Sequence, residues 1–459
     1  MQLTHLRHVP VVAASASRSI GVSPSARWSR LAIMLVFAAL LLPRGVEQQL
    51  GTIMINPLRL ILTWFGLGAL FKVLSRTIRL TVTPADWLMG LHIGVIVLSA
   101  FVHGGLDEGL ENAIASTIDM GLAYFVARVA VRDLASYHYF VRAALIVAAI
   151  SGVFGAIEMV SGYSLIRGLF APLFPHVPYV YLENQRLSLY RATATFPADI
   201  LFGLYCMLAF GLAVNIGAKR LGMRGGVYMT CMVLSLLGLF SSLSSAPWLA
   251  LTLLLCMMAY DWFLRTERNR WSLLIVGAIG VWLVLGMISN RGPVKLIVNY
   301  LTLNPESGYI RMAMLECVWA LVPDYWSLGW GWGNDWPRSV EWYKWNSIDC
   351  FYAVLFVRSG VFAVFTLLGC LGYSWYRMGM TPRRFPAVSN EIKSWIMTTV
   401  AFFFAVMSVD VFGNFEIPVY AMLGAGQILM APSFRAAGRV GVRGGSSTAR
   451  LLSVGGGQP

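Results

Sequence analysis

The sequence has 459 residues, of which 58% are apolar and only 12% charged, and its formal net charge is +14. Soluble globular chains carry about 25% charged residues, so this composition excludes an ordinary water-soluble domain. The basic excess does not mark a nucleic-acid-binding protein either, because Lys and Arg fall in short segments between apolar runs, where they orient helices in a bilayer.

The expected fold class is all-α: a polytopic membrane protein of about twelve transmembrane helices, each needing about 20 mostly apolar residues. Residues 1–27 read as an N-terminal tail, and the apolar Leu31–Leu42 is followed by Pro43, Arg44 and Gly45 with no small-residue cleavage site, as in an uncleaved anchor. Runs long enough to span lie near 28–46, 53–74, 84–103, 109–127, 139–160 and 195–217. They continue near 226–243, 246–264, 271–289, 351–376, 393–414 and 416–431. The fourth is the weakest, since Glu111 and Asp119 interrupt it. Residues 28–435 thus form one transmembrane domain, and 436–459, rich in Gly and Ser, a disordered tail.

Every second connection is basic, with Arg27 and Arg30, then Lys72, Arg76 and Arg79, then Arg128 and Arg132. The pattern continues through Lys219, Arg220 and Arg224, through Arg265, Arg268 and Arg270, and through Arg377, Arg383, Arg384 and Lys393. Basic connections stay in the cytoplasm, which puts both termini there too. The outer connections are then Leu106–Glu108, a loop of about 162–195, the Ser241–Ser245 turn, a loop of about 290–350 and a turn near Asn414. Both long loops are expected to hold short helices, and their aromatic stretches Leu169–Tyr181 and Trp326–Trp345 suit the membrane interface, where they can also act as a plain interfacial cap. No internal repeat is visible, which removes the commonest sign of an alternating-access transporter.

Four cysteines lie in apolar runs, and no pair has zinc or redox spacing. Cys317 and Cys350 share one outer loop, where the sequence leaves a disulfide and two buried thiols both open.

The outer loops carry Arg167, Arg186, Arg191, Arg291, Lys295, Arg311, Arg338 and Lys344, either as ordinary solvated charge or as a site for an anion. Arg191 opens the segment Arg191–Pro197 directly before the sixth run, which sets a fixed cation at the depth of a lipid-linked phosphate. Arg311 lies in the apolar helical stretch Tyr309–Trp319, ended by Pro323 and too short to span. Guanidinium groups stay charged and grip phosphate oxygens in pairs, so two arginines can hold a diphosphate. Asp349 opens the tenth run, where it can accept a proton from an attacking sugar hydroxyl or simply cap the helix. His176, between Pro175 and Pro178, is a rival base, and Arg358 within the tenth run can face a cavity or snorkel to the interface. Arg186, Arg291 and Arg338 complete the candidate substrate contacts.

At these residues the chain resembles the O-antigen ligase and polymerase superfamily of bacterial membrane glycosyltransferases. The likeness rests on Arg191–Pro197, the Ser241–Ser245 turn, Arg311 before a short helix, the Pro323–Gly333 segment, and Asp349 opening a run that contains Gly360. The resemblance implies a helical GT-C-like frame in the bacterial inner membrane and inverting transfer from an undecaprenyl-diphosphate-linked oligosaccharide at the periplasmic face. No metal, nucleotide sugar or other cofactor is implied, and a chain-length regulator is admitted as a further partner. Ligases of the superfamily commonly carry His where Asp349 stands and Arg near Ser245 and Ala246, so the likeness favours the polymerase branch over the ligase branch. A glycolipid flippase is the alternative from another class.

Overall fold

The computed structural model describes residues 24–50, 53–174, 176–178, 180–267, 269–288, 305–320, 322–331, 339–340, 343–344, 348–381 and 388–430. α1 (Pro24–Ala39), α2 (Pro57–Leu74) and α3 (Pro84–Gly104) each begin on proline, whose missing N–H is no loss in a first helical turn. Asn56 and Thr83 cap α2 and α3. α4 (Glu108–Ser116) runs through a π-helical turn, Thr117–Leu122, into α5 (Ala123–Ala130). α6 (Leu134–Ser161) starts from a capping box at Asp133 and stops at Gly162 in the left-handed conformation. There follow α7 (Leu165–Phe170), α8 (Asp199–Val214), α9 (Gly225–Ser241), α10 (Ser245–Phe263) and α11 (Arg270–Ile288). The last are α12 (Pro305–Ala320), α13 (Val322–Tyr325), α14 (Phe351–Gly379), α15 (Ser389–Ala405) and α16 (Glu416–Gly426).

Among the described residues seven helices are long and apolar enough to cross a membrane: α2, α3, the α4–α5 composite, α6, α10, α14 and the stretch Ser389–Ser408. The run interrupted by Glu111 and Asp119 is one of them. Three apolar helices are shorter, namely α8, α9 and the Arg270–Val281 part of α11. α1 and α16 meet neither description. The long loops hold the short helices α7, α12 and α13, and also two hairpins that sequence reasoning did not anticipate: Gln185–Arg186 with Leu189–Tyr190, and Ser339–Val340 with Tyr343–Lys344. A third hairpin pairs Gln48–Leu50 with Ile53–Ile55. None of the six cysteines forms a disulfide, Cys317 and Cys350 included.

α16 is buried along its whole length and α8 along nearly all of it, so these two helices form the centre. α5 packs on α16, α14 on α3, and α6, α9, α10 and α15 enclose α8. A Cβ at Gly152 would lie 2.0 Å from the Leu234 carbonyl oxygen, so α6 and α9 meet backbone against backbone as small residues allow. The outside is apolar, with Trp64, Trp87 and Phe365 each more than half exposed. An apolar exterior around buried polar groups is what a lipid solvent favours.

Polar contacts gather at two opposite ends of the bundle. One end joins Asp86 to Arg128, Glu391 to His138 and Arg220, and Asp261 to Arg270 and Lys393. The other joins Asn56 to Asn414, Glu158 to the amides of Thr193 and Ala194, and Arg311 to Asp349. Successive helices therefore start at alternating ends, and the candidate residues collect at the second.

Candidate functional site

α14 is broken. Gly360 has φ +78° and ψ −178°, a combination that only glycine adopts readily, so the helix stops after Ser359 and restarts at Val361. The backbone groups released by the break are taken up by the segment after α13. Trp330 N–H donates to the Val357 carbonyl (2.6 Å), Val361 N–H donates to the Trp326 carbonyl (2.8 Å), and the Ser99 hydroxyl lies 2.8 Å from the Arg358 carbonyl and 2.7 Å from that of Leu328. Irregular backbone inside an apolar bundle persists only where such partners exist. The break thus places Arg358 at an interruption of a helix instead of on a smooth apolar face.

The first half of α14 carries a small core of its own, in which Val318 of α12 packs with Ile348, Cys350, Ala353, Val354 and Val357. Arg311 precedes Val318 by two helical turns and shares its face. That seats the Arg311 Nε 3.9 Å from Asp349 Oδ2, a spacing longer than a hydrogen bond. The Nε is buried and has no acceptor among the described residues. Behind Asp349, Phe351 N–H donates to the Val409 carbonyl (3.0 Å), which ties the start of α14 to the segment after α15 and brings Asp410 alongside.

Asp410 lies beyond the end of the span Ser389–Ser408, and its Oδ1 accepts the Val411 N–H at 2.8 Å. Burial pushes its carboxyl from 3.8 up to about 7, against the opposing pull of Arg358, while the nearby Asp349 adds to the rise. A carboxyl weakened as an acid by folding binds more protons folded than unfolded. Its contribution is therefore present at low pH and lost as pH climbs through about 7. Purified protein should melt at a higher temperature near about pH 5 than near about pH 8, and Asp410→Asn should shrink that difference. An unchanged difference in the variant would show that other groups set the pH dependence.

A second constellation surrounds Arg191. Its Nη2 donates to the Ser244 hydroxyl (2.7 Å) and pairs with Asp199 in the first turn of α8. The Ser244 hydroxyl in turn donates to Asp199. Ala192 N–H bonds the Ser241 carbonyl (3.0 Å), and Arg186 Nη1 bonds the Leu243 carbonyl (3.0 Å). The Ser241–Ser245 turn is thus the socket for the Arg186–Arg191 segment. Of the five non-glycine residues with positive φ among those described, four are here: Leu187, Ser188, Ala194 and Leu243. Such strain persists where surrounding bonds over-determine the backbone, as functional sites commonly do. Glu158 provides those bonds at Ala194. Nearly fully buried at the end of α6, it accepts from Thr193 N–H, Ala194 N–H and the Ser164 hydroxyl.

The structure brings Arg311, Asp349, Arg358 and Asp410 together, and Arg186 with Arg191 in the neighbouring socket. Pro197 against Gly413 and Phe196 against Phe415 connect the two constellations. His176 is exposed, with its backbone packed over Gly45, and joins neither. Arg291 and Arg338 lie outside the described residues.

Sequence reasoning passed over a third group. Arg59 grips Asp119 with two nitrogens, Nε at 2.9 Å and Nη2 at 2.6 Å, and Asp119 sits in the π-helical turn of the fourth run. Glu416, at the start of α16, lies within electrostatic reach of Asp119, Arg59, Arg358 and Asp410. The available signal was the presence of ionisable residues inside or at the edge of apolar runs, which face protein interiors. In the sequence Asp119 stands only as an interruption of the fourth apolar run. No group of three or more His, Cys, Asp or Glu among the described residues could hold a metal ion.

Compared with protein-family models, curated proteins and solved structures, the chain matches none. Fold and site therefore define the class in coarse terms: a mostly helical chain with seven helices long and apolar enough to cross a membrane. At one end a helix is broken, beside paired arginines and carboxylates.

Proposed function

We propose that this chain is a multi-pass membrane glycosyltransferase of about twelve spans with a GT-C-like frame, which joins undecaprenyl-diphosphate-linked oligosaccharide repeat units at the periplasmic face of a bacterial inner membrane. The observation that carries the reading is Arg311 facing Asp349 at 3.9 Å, with a buried Nε–H that has no acceptor among the described residues, beside the break at Gly360. A guanidinium donor supplies what a departing diphosphate requires, and a half-exposed carboxylate supplies what an attacking hydroxyl requires.

In the reaction an acceptor hydroxyl attacks the anomeric carbon of the donor sugar from the face opposite the diphosphate. The new C–O bond forms as the bond to the diphosphate oxygen breaks, its electron pair leaves with the diphosphate, and the hydroxyl proton passes to Asp349. Arg311 neutralises the charge that grows on the leaving group. Arg191, aligned by Asp199 and Ser244, is the second diphosphate cation. The remaining basic connections, at the opposite end, suit the cytoplasm.

The test is to supply purified protein with a lipid-linked repeat unit alone. Polymerisation predicts a ladder of products, each one repeat longer than the last. Product formed only after a different acceptor glycan or lipid is added would replace polymerase with ligase, and movement of intact substrate without new glycosidic bonds would replace both with a flippase.

A further inference from the structure

At the opposite end of the bundle, a cavity of about 360 Å³ lies between α3 and the α4–α5 composite, within the range of about 300–1,000 Å³ that ligand pockets occupy. α3 packs on α4 and on the π-helical turn, whereas α5 packs on α16, and the gap opens where the two helices part. Leu80, Val82, Met89, Ile93 and Phe125 make its walls apolar. Two glycines keep it open. A Cβ at Gly90 would meet nothing within 4 Å, and one at Gly121 would meet an Ile93 methyl first, at 3.5 Å. From Asp86 to Ile93 the slot follows α3 for about 10 Å.

Its polar lining is already occupied. The Tyr124 hydroxyl donates to Asp86 Oδ1 at 2.7 Å, Arg128 Nε donates to the same oxygen at 3.1 Å, and Arg128 Nη2 donates to the Thr81 carbonyl at 2.8 Å. An occupant of the slot therefore gains mainly by burying apolar surface, which suits a hydrocarbon chain and disfavours a sugar or an ion. The mouth has the opposite character. The α2–α3 connection gives Leu80 and Val82 to the wall and exposes Arg76 and Arg79 beside them, with no acidic residue between Arg76 and Asp86. Trp87 in the first turn of α3 is 74% exposed, a side chain that settles at the depth of lipid headgroups. An apolar slot thus adjoins a cationic rim at headgroup level.

We propose that this cavity binds an anionic glycerophospholipid, with one acyl chain in the slot between α3 and α5 and the phosphate against Arg76 and Arg79. The site is separate from the Arg191 and Arg311 constellations, and the inference does not depend on the glycosyl transfer proposed above.

The experiment titrates phosphatidylglycerol and, separately, phosphatidylcholine of the same acyl chains into the purified full-length protein in detergent, with native mass spectrometry as the readout. Two exposed arginines predict a preference for phosphatidylglycerol of about tenfold or more, and the double variant Arg76→Gln, Arg79→Gln should lose it. Gly90→Leu puts a side chain into the open slot and should weaken the binding of both lipids about tenfold. Gly372→Leu adds the same side chain on an exposed position of α14, where a Cβ meets nothing within 4 Å, and should bind as the unaltered protein does. Gly90→Met gives a second measurement of the same sign should the Leu variant be recovered poorly. Equal affinity of the unaltered protein for the two lipids overturns the proposal, as does phosphatidylglycerol binding that neither Gly90 variant weakens.

Discussion

Replacing Arg311 by Ala is expected to lower polymer synthesis by about 100-fold or more while leaving the amount of folded protein unchanged. The size follows from what one preorganised donor contributes to a developing anion in a site shielded from water, about 10²–10³ in rate. The intact fold follows from the weakness of the contact removed. An ion pair with one partner half-exposed contributes about 0–1 kcal/mol, and Arg311 makes its pair at 3.9 Å. Arg311→Lys should recover only part of the loss, because an ammonium offers a point charge where a guanidinium offers a planar fork. The ladder assay on purified variants, normalised to the monodisperse peak in size-exclusion chromatography, decides the matter. Near-normal synthesis by Arg311→Ala would take this residue out of the mechanism.

Gly360→Ala should have a large structural effect for a single added methyl group, because it meets both a backbone clash and a positive φ. A Cβ there would lie 2.0 Å from the Ser327 carbonyl oxygen and 2.6 Å from the Leu328 amide nitrogen. Both are backbone atoms of a segment tied on either side by the Trp326–Val361 and Trp330–Val357 bonds, so neither can retreat cheaply. The backbone angles add about 1–3 kcal/mol of strain for a residue with a side chain. Ala at 360 therefore either expels the 326–331 segment or straightens α14, and both results displace Arg358 and the start of the helix that carries Asp349. The expected outcome is a markedly lower melting temperature in detergent together with loss of synthesis. Gly90→Ala is the matched control, since a Cβ there meets nothing within 4 Å and a helical Gly→Ala change is neutral or slightly stabilising. Equal behaviour of the two variants would show that the break is not required.

Much of the frame was legible in the residues. Apolar runs marked the helices to within a few positions, as at Pro84–Gly104 against 84–103 and Phe351–Gly379 against 351–376, because the length of an apolar run is a local property. The eleventh apolar run outlasts its helix: the apolar Val409, Val411 and Phe412 continue the pattern past Ser408, yet they form the connection that carries Asp410. The hairpin at Gln185–Tyr190 escaped notice since its turn is built on Leu187 and Ser188 at positive φ, without the Asn or Gly that announces such turns.

The candidate site was legible in pieces only. Arg191–Pro197 and the Ser241–Ser245 turn were singled out separately, and the structure makes them one object through the Arg191–Ser244 and Ala192–Ser241 bonds. Trp326–Gly331 of the Gly-rich Pro323–Gly333 segment and Gly360 are likewise two sides of one helix break.

The sequence by itself determined a lipid-suited helical chain, the approximate limits of its helices and the basic character of every second connection, all of which follow from the local balance of apolar and charged side chains. Only the tertiary structure decided which charges meet. Arg59 with Asp119, and Arg311 with Asp349, are joined across 60 and 38 positions of chain by the way helices pack. An ionisable residue in an apolar run declares that it needs a partner, but the partner's identity is a property of the packed bundle.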